Sequence, residues 1–246
     1  MKVFCASILM FFGLLFNSFA NETAVQKESK KVSVFVNVDF MSSHVWRGGK
    51  SGELPSFEPL IEASFGNITV GSWAAATFDG KYKELDLYVN YNINDFTVAL
   101  FDYYCPPENL HEAKFTNLNK ENTFHLYSID LSYEGSEKIP VKFTASTMLY
   151  GMDYNSETGE YYYSTYLEAQ YNKGWKSNTV SVVLGMTTHE GIYAKKTAIM
   201  NTELMYKRTF ELKSFTIPVF AKVVYNPYSN KSYFIGGLSI SREFKI

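Results

Sequence analysis

The sequence predicts an all-β fold, a transmembrane antiparallel β-barrel of about 12 strands. Three observations carry that expectation. Apolar and polar residues alternate with period two through most of the chain, in runs of about 9 to 12 residues, the length a tilted strand needs to cross a bilayer core. Phe, Tyr and Trp make up 17% of the 246 residues. A soluble core rarely uses that many rings with polar handles, whereas the two interfaces of a membrane barrel do. Short turns alternate with long loops, which gathers the turns at one end of a hairpin array and the loops at the other.

The chain opens with a targeting signal. Met1-Lys2 gives a basic start, Val3 to Phe16 is an apolar run, and Ser18-Phe19-Ala20 places small residues before a cleavage point at Asn21. The run is shorter than the roughly 20 residues a membrane helix needs, so a cleaved signal peptide over 1–20 is expected rather than a retained anchor. Cys5 stands at the start of the run, away from the position a lipoprotein signal requires. A short polar periplasmic segment over 21–32 should follow, and the barrel should occupy 33–246. No later stretch approaches a helical span.

The strands then follow in order. Val34, Val36, Val38 and Phe40 alternate with Ser33, Asn37 and Asp39, within a first strand expected over 33–46. Phe57, Ile61, Ala63 and Phe65 mark a second over 56–66. Both faces are small or apolar in the third, 68–75. Leu85, Leu87, Val89 and Tyr91 mark a fourth over 84–92, and the fifth covers 96–104. Strands over 123–133, 140–150, 161–171, 177–187 and 198–207 precede a strand over 214–225, where Phe215, Ile217, Val219, Ala221, Val223 and Tyr225 share a face. The last, 233–245, carries Phe234, Leu238, Ile240 and Phe244 on one face and suits membrane insertion. Turns at Gly66-Asn67 and Asn92–Asp95 oppose loops over 47–55, 105–122, 151–160 and 188–197. A secreted β-sandwich would also show many strands, but shorter ones.

Composition excludes several classes. Lys and Arg number 23 against 25 Asp and Glu, so there is no basic surface to draw nucleic acid. Two cysteines rule out a disulfide framework, and Cys105, before Pro106-Pro107, reads as an inert thiol. His44, His111, His125 and His189 form no H-x-H or H-x-x-x-H pair, so no metal or cofactor is expected. His111 and His189 should be solvated in loops. His125 shares a face with Tyr127, Ile129 and Leu131 and should stand at the bilayer interface. Trp46 and Trp73 are expected there too. His125 and Ser128 are three residues apart on a strand and face opposite ways, which argues against a serine esterase on the barrel wall.

Three motifs come in a familiar order: Ser43-His44-Val45-Trp46-Arg47-Gly48-Gly49, then Gly71-Ser72-Trp73-Ala74-Ala75, then Glu84-Leu85-Asp86-Leu87-Tyr88 before Asn90-Tyr91. Together they resemble the N-terminal part of the TorF family of porins, with His44 where that family commonly has an aromatic. The resemblance covers roughly residues 38–92. It implies an outer-membrane barrel suspected of being a porin, and it brings no substrate.

Extending the alternation places Asp39, Glu58, Glu62, Glu84, Asp86, Asp130, Glu168, Glu203 and Glu243 on polar, inward faces. The bases so placed are Lys142, Lys207, Lys222 and Lys245, together with Arg47, which either projects into the lumen or is solvated where Gly48-Gly49 turn the chain. The expectation is a non-enzymatic, passive outer-membrane channel for small hydrophilic solutes or ions, weakly cation-preferring. Its partners would be outer-membrane lipid and the barrel-assembly machinery. Two alternatives stay open: a structural or adhesin-type barrel with a plugged lumen, and an outer-membrane phospholipase.

Overall fold

The computed structural model describes residues 32–109, 113–213 and 215–246. The expected signal peptide, the 21–32 segment except Val32, and His111 lie outside the described residues. Fourteen strands occur within them, and twelve close into a single antiparallel barrel. These are β1 (Val32–Met41), β4 (Ser56–Phe65), β5 (Ile68–Thr77), β6 (Lys83–Ile93), β7 (Phe96–Tyr104), β8 (His125–Tyr133), β9 (Val141–Gly151), β10 (Thr165–Trp175), β11 (Asn178–Thr187), β12 (Ala198–Leu212), β13 (Phe215–Asn226) and β14 (Lys231–Lys245). The remaining two, β2 (His44–Trp46) and β3 (Gly49–Ser51), form a separate hairpin.

Closure follows from the first and last strands. Ser33 through Met41 pair with Lys245 through Gly237, so neither edge of the sheet is left with unpaired backbone groups. Each other strand pairs with its sequence neighbour, as hairpin connections require. Two residues connect β4 to β5, β6 to β7, β10 to β11 and β12 to β13, all at one end, the turn end. The β8–β9 connection, 134–140, is also at that end, and the long connections 105–124, 152–164 and 188–197 gather at the other, the loop end.

Register separates the two faces. Val36 pairs with Ile61, Ile61 with Ser72, Ser72 with Leu87, and the same parity continues to Phe143 and Val219. That face is the outer wall: Ile61 is 53% exposed, Leu87 41%, Phe143 48% and Val219 43%. Apolar side chains this exposed, ring after ring around a closed sheet, suit hydrocarbon and not water. The opposite face is polar and largely buried within the barrel, with Ser56, Ser128, Ser146 and Ser181 at or below 1% exposure.

Three expected boundaries shift, one of them simply because the strand expected over 198–207 runs on to Leu212. The first strand does not run to Trp46 but leaves the wall after Met41. The eighth strand is Thr165–Trp175, not 161–171. Tyr163 takes φ of 51°, and Asp153 accepts bonds from the Ser164 amide at 2.7 Å and hydroxyl at 2.5 Å. The three tyrosines ahead of Ser164 therefore belong to a loop, although their apolar rings mimic a strand.

Candidate functional site

The site is the barrel interior and the hairpin that crosses it. Beyond β1, the Ser42 amide still donates to Gly236 O at 2.8 Å, after which the chain turns off the wall. Strands β2 and β3 pair His44 with Ser51 and Trp46 with Gly49 around Arg47-Gly48. Arg47 has φ of 48° and Gly48 of 77°, both positive, as a tight two-residue hairpin turn of the primed kind requires. At Gly48 a Cβ would collide with the Met200 carbonyl oxygen on β12, so only glycine lets the tip press this close to the wall. The Asn226 side-chain amide completes the anchor by donating to Gly48 O at 3.1 Å.

At the hairpin's base, His44 is 6% exposed and meets the β4–β6 wall. Its Nδ1 lies 3.0 Å from Glu58 Oε1 and its Nε2 4.0 Å from Glu84 Oε2. The ring stacks on Tyr82 at 5.3 Å and tilts against Trp73 at 5.5 Å. The loop after β5 sets Tyr82: Thr77 Oγ1 and the Lys81 amide donate to Asp79 Oδ1 at 2.7 and 3.2 Å. The Thr77 bond, followed by the Lys81 amide, holds the Asp79 carboxyl below its ordinary pKa. Cys105, the first residue beyond β7, donates its thiol to Glu84 Oε1 at 3.4 Å. Burial, then the Glu84 charge, pushes that thiol's pKa up.

At the tip, Arg47 reaches the far wall. Its guanidinium donates to the Tyr193 hydroxyl and lies 3.5 Å from Asp130 Oδ2. It sits 4.5 Å from the Trp46 ring centroid, 4.6 Å from Tyr166 and 5.6 Å from Tyr193. A buried cation needs this company, since leaving it unpaired costs several kcal/mol, on the order of the penalty for any lone buried ion. Ring faces offset about 0.5–2 kcal/mol each. Asp130 is itself fixed by Ser128 at 2.7 Å and Ser146 at 2.6 Å.

By register, the other proposed residues stand on the inner face as follows. Asp39 accepts from Asn37 at 2.8 Å, and Glu62 from the Tyr88 hydroxyl at 2.7 Å. Asp86 is 7% exposed, with Oδ1 unpartnered. Glu168 accepts from Tyr166 at 2.7 Å, and Lys222 pairs with Glu203 at 3.1 Å. Lys142 sits at the turn end on Glu134 at 2.7 Å, away from the hairpin. The structure thus brings Arg47 to Asp130, and Glu58 and Glu84 to His44, while Asp39, Glu62 and Lys142 keep local partners.

Three expectations need correction. Arg47 is not solvated at a turn, because the turn itself lies inside the barrel. Trp73 is no interface anchor: its register partner Asp86 puts it on the inner face. Trp46 also lies inside, 5.7 Å from Tyr103 and 5.9 Å from Tyr193. His125 does face outward near the loop end, but it is 1% exposed, with Nδ1 2.7 Å from Asp102 and Nε2 2.6 Å from Phe115 O. The loop after β7 covers it. Ser128 donates instead to Asp130 on the opposite face.

His44 and the inward course of 42–51 were missed by reading the sequence as strands. One signal was available: the alternation that sets Val34, Val36, Val38 and Phe40 on one face loses its phase at Met41, and the polar run Ser42-Ser43-His44 follows. That phase slip marks the chain leaving the wall.

Comparison with protein-family models gives no match, and comparison with curated protein sequences gives none. Among solved structures, the chain is similar to the COG4313 outer membrane channel from Pseudomonas putida F1, at 14% identity and a TM-score of 0.40, covering 91% of this chain and 100% of that one. It is also similar to Pseudomonas putida OprB, at 10% identity and a TM-score of 0.37, over 87% and 93%. A mutant porin of Rh. blastica matches at 9% identity and a TM-score of 0.36, over 87% and 99%. Likenesses this distant carry no argument, and the barrel rests on the strand pairing above.

Proposed function

We propose that the protein is a passive channel of a bacterial outer membrane, admitting small hydrophilic solutes and modestly preferring cations. The observation that carries this reading is a hairpin crossing the lumen of a closed barrel whose inner face is polar and rich in carboxylates. Such a hairpin narrows the path, and the low-dielectric wall confines the field of Glu58, Glu62, Glu84 and Asp86 along one side. The resemblance to TorF-family porins agrees with this reading, as does the expected signal peptide. Outer-membrane lipid and the assembly machinery for such barrels are the partners it calls for.

The same hairpin favours a second reading, a plugged structural barrel, because it is bonded to both walls. Planar-bilayer recording of the refolded protein in a KCl gradient separates them. The channel reading expects discrete conductance and a reversal potential favouring K⁺, fading as salt rises. Replacing Glu58, Glu62, Glu84 and Asp86 with Gln or Asn should reduce the preference. Absence of conductance in a folded barrel would establish the plug.

A further inference from the structure

We propose that the cavity beside the hairpin tip is a binding site for a small organic cation carrying an ammonium or guanidinium group. The proposal deepens the channel reading, since it rests on the lumen being reached from solution. The cavity measures about 320 Å³, at the small end for ligand sites, and lies between the hairpin and strands β9 to β12. Trp46 and Tyr166 line it, and Glu168, Gln170, Asn201 and Glu203 bring side-chain oxygens to its wall.

The balance of donors and acceptors selects the ligand. Asn201 is only 5% exposed, and its Oδ1 has no partner, so a buried acceptor faces the cavity unsatisfied. Tyr166 engages Oε2 of Glu168, and Lys222 engages Oε2 of Glu203. Among the described residues, no hydrogen bond occupies the second oxygen of either carboxylate. Arg47, the one cationic side chain among the described residues that line the cavity, is already held by Asp130, Tyr193 and its flanking rings. A site rich in free acceptors, with aromatic rings beside them, matches a cation bearing several N–H donors. Arg47 shows the same recognition from within the chain: a guanidinium among Trp46, Tyr166 and a carboxylate.

Agmatine, with an ammonium at one end and a guanidinium at the other, is a suitable probe. Calorimetry on the detergent-refolded protein at low salt should show saturable one-to-one binding, and glucose should show none. Glu168→Gln, which keeps an oxygen for Tyr166, and Asn201→Leu should each weaken binding about tenfold. Both variants are first checked for the barrel's heat-dependent gel shift, so that loss of the site is not loss of the fold. No saturable binding, equal binding by both variants, or glucose binding as well as agmatine would overturn the proposal. An open channel that does not bind agmatine sinks the site and leaves the channel reading. Agmatine binding by a folded barrel without conductance does the reverse.

Discussion

A guanidinium inside a barrel persists only if its surroundings replace water, and Arg47 illustrates how few contacts suffice when they are well placed. One carboxylate at 3.5 Å, one phenol and three ring faces hold it. Tyr166 can lie in that position because Gly185 leaves room on the neighbouring strand, where a Cβ would collide with the phenol. Cys105 shows the opposite use of burial. Its thiol is pushed up by desolvation and by Glu84, so the thiolate that reacts with maleimide is scarce. Maleimide labelling at pH 7.5 should therefore be at least about tenfold slower in the folded barrel than in the unfolded chain, since each unit of raised pKa removes tenfold of the thiolate. Equal rates would mean that Cys105 is open to solvent and that its contact with Glu84 is absent.

At the scale of the element, the hairpin β2–β3 decides how much lumen remains. Its fixed points are Gly48 against Met200, Asn226 on Gly48 O, Arg47 on Asp130 and His44 on Glu58. Gly48→Val removes the first of these. It places a β-branched residue at positive φ, costing about 1–3 kcal/mol, and drives a methyl group into the β12 backbone. The tip should leave the wall while the twelve barrel strands stay paired. The expected outcome is conductance several-fold above the native protein with an unchanged heat-dependent gel shift. Unaltered conductance would show that the hairpin is not what limits flow.

At the scale of the molecule, a closed sheet with one apolar wall makes two demands that can be measured. The folded barrel should resist detergent and run faster on a gel unheated than boiled, as a structure without free strand edges does. Arg at Ile61, Leu87, Phe143 or Val219 should cost roughly 2–4 kcal/mol near the bilayer midplane, read from reversible unfolding in lipid. Arg at Asn90, half-buried on the inner face, should cost much less, whereas Ser146 is fully buried against Asp130 and is no such control. Equal penalties on both faces would contradict the register. The period-two pattern made this wall legible without coordinates: strand number, face assignment and most boundaries follow from alternation, because a pleated strand sends successive side chains to opposite sides whatever its neighbours are. The same pattern is silent on where a chain goes once it leaves the sheet. Asn226 and Gly48 are 178 residues apart, and Arg47 and Tyr193 are 146 apart. Contacts of that range exist only after the barrel closes. Tertiary structure alone therefore decided that 44–51 folds inward, that Trp46 and Trp73 line the interior, that His125 is sealed against Asp102 beneath a loop, and which carboxylates find a cation. Alternation reports the side of a sheet on which a residue stands, and closure determines what stands opposite it.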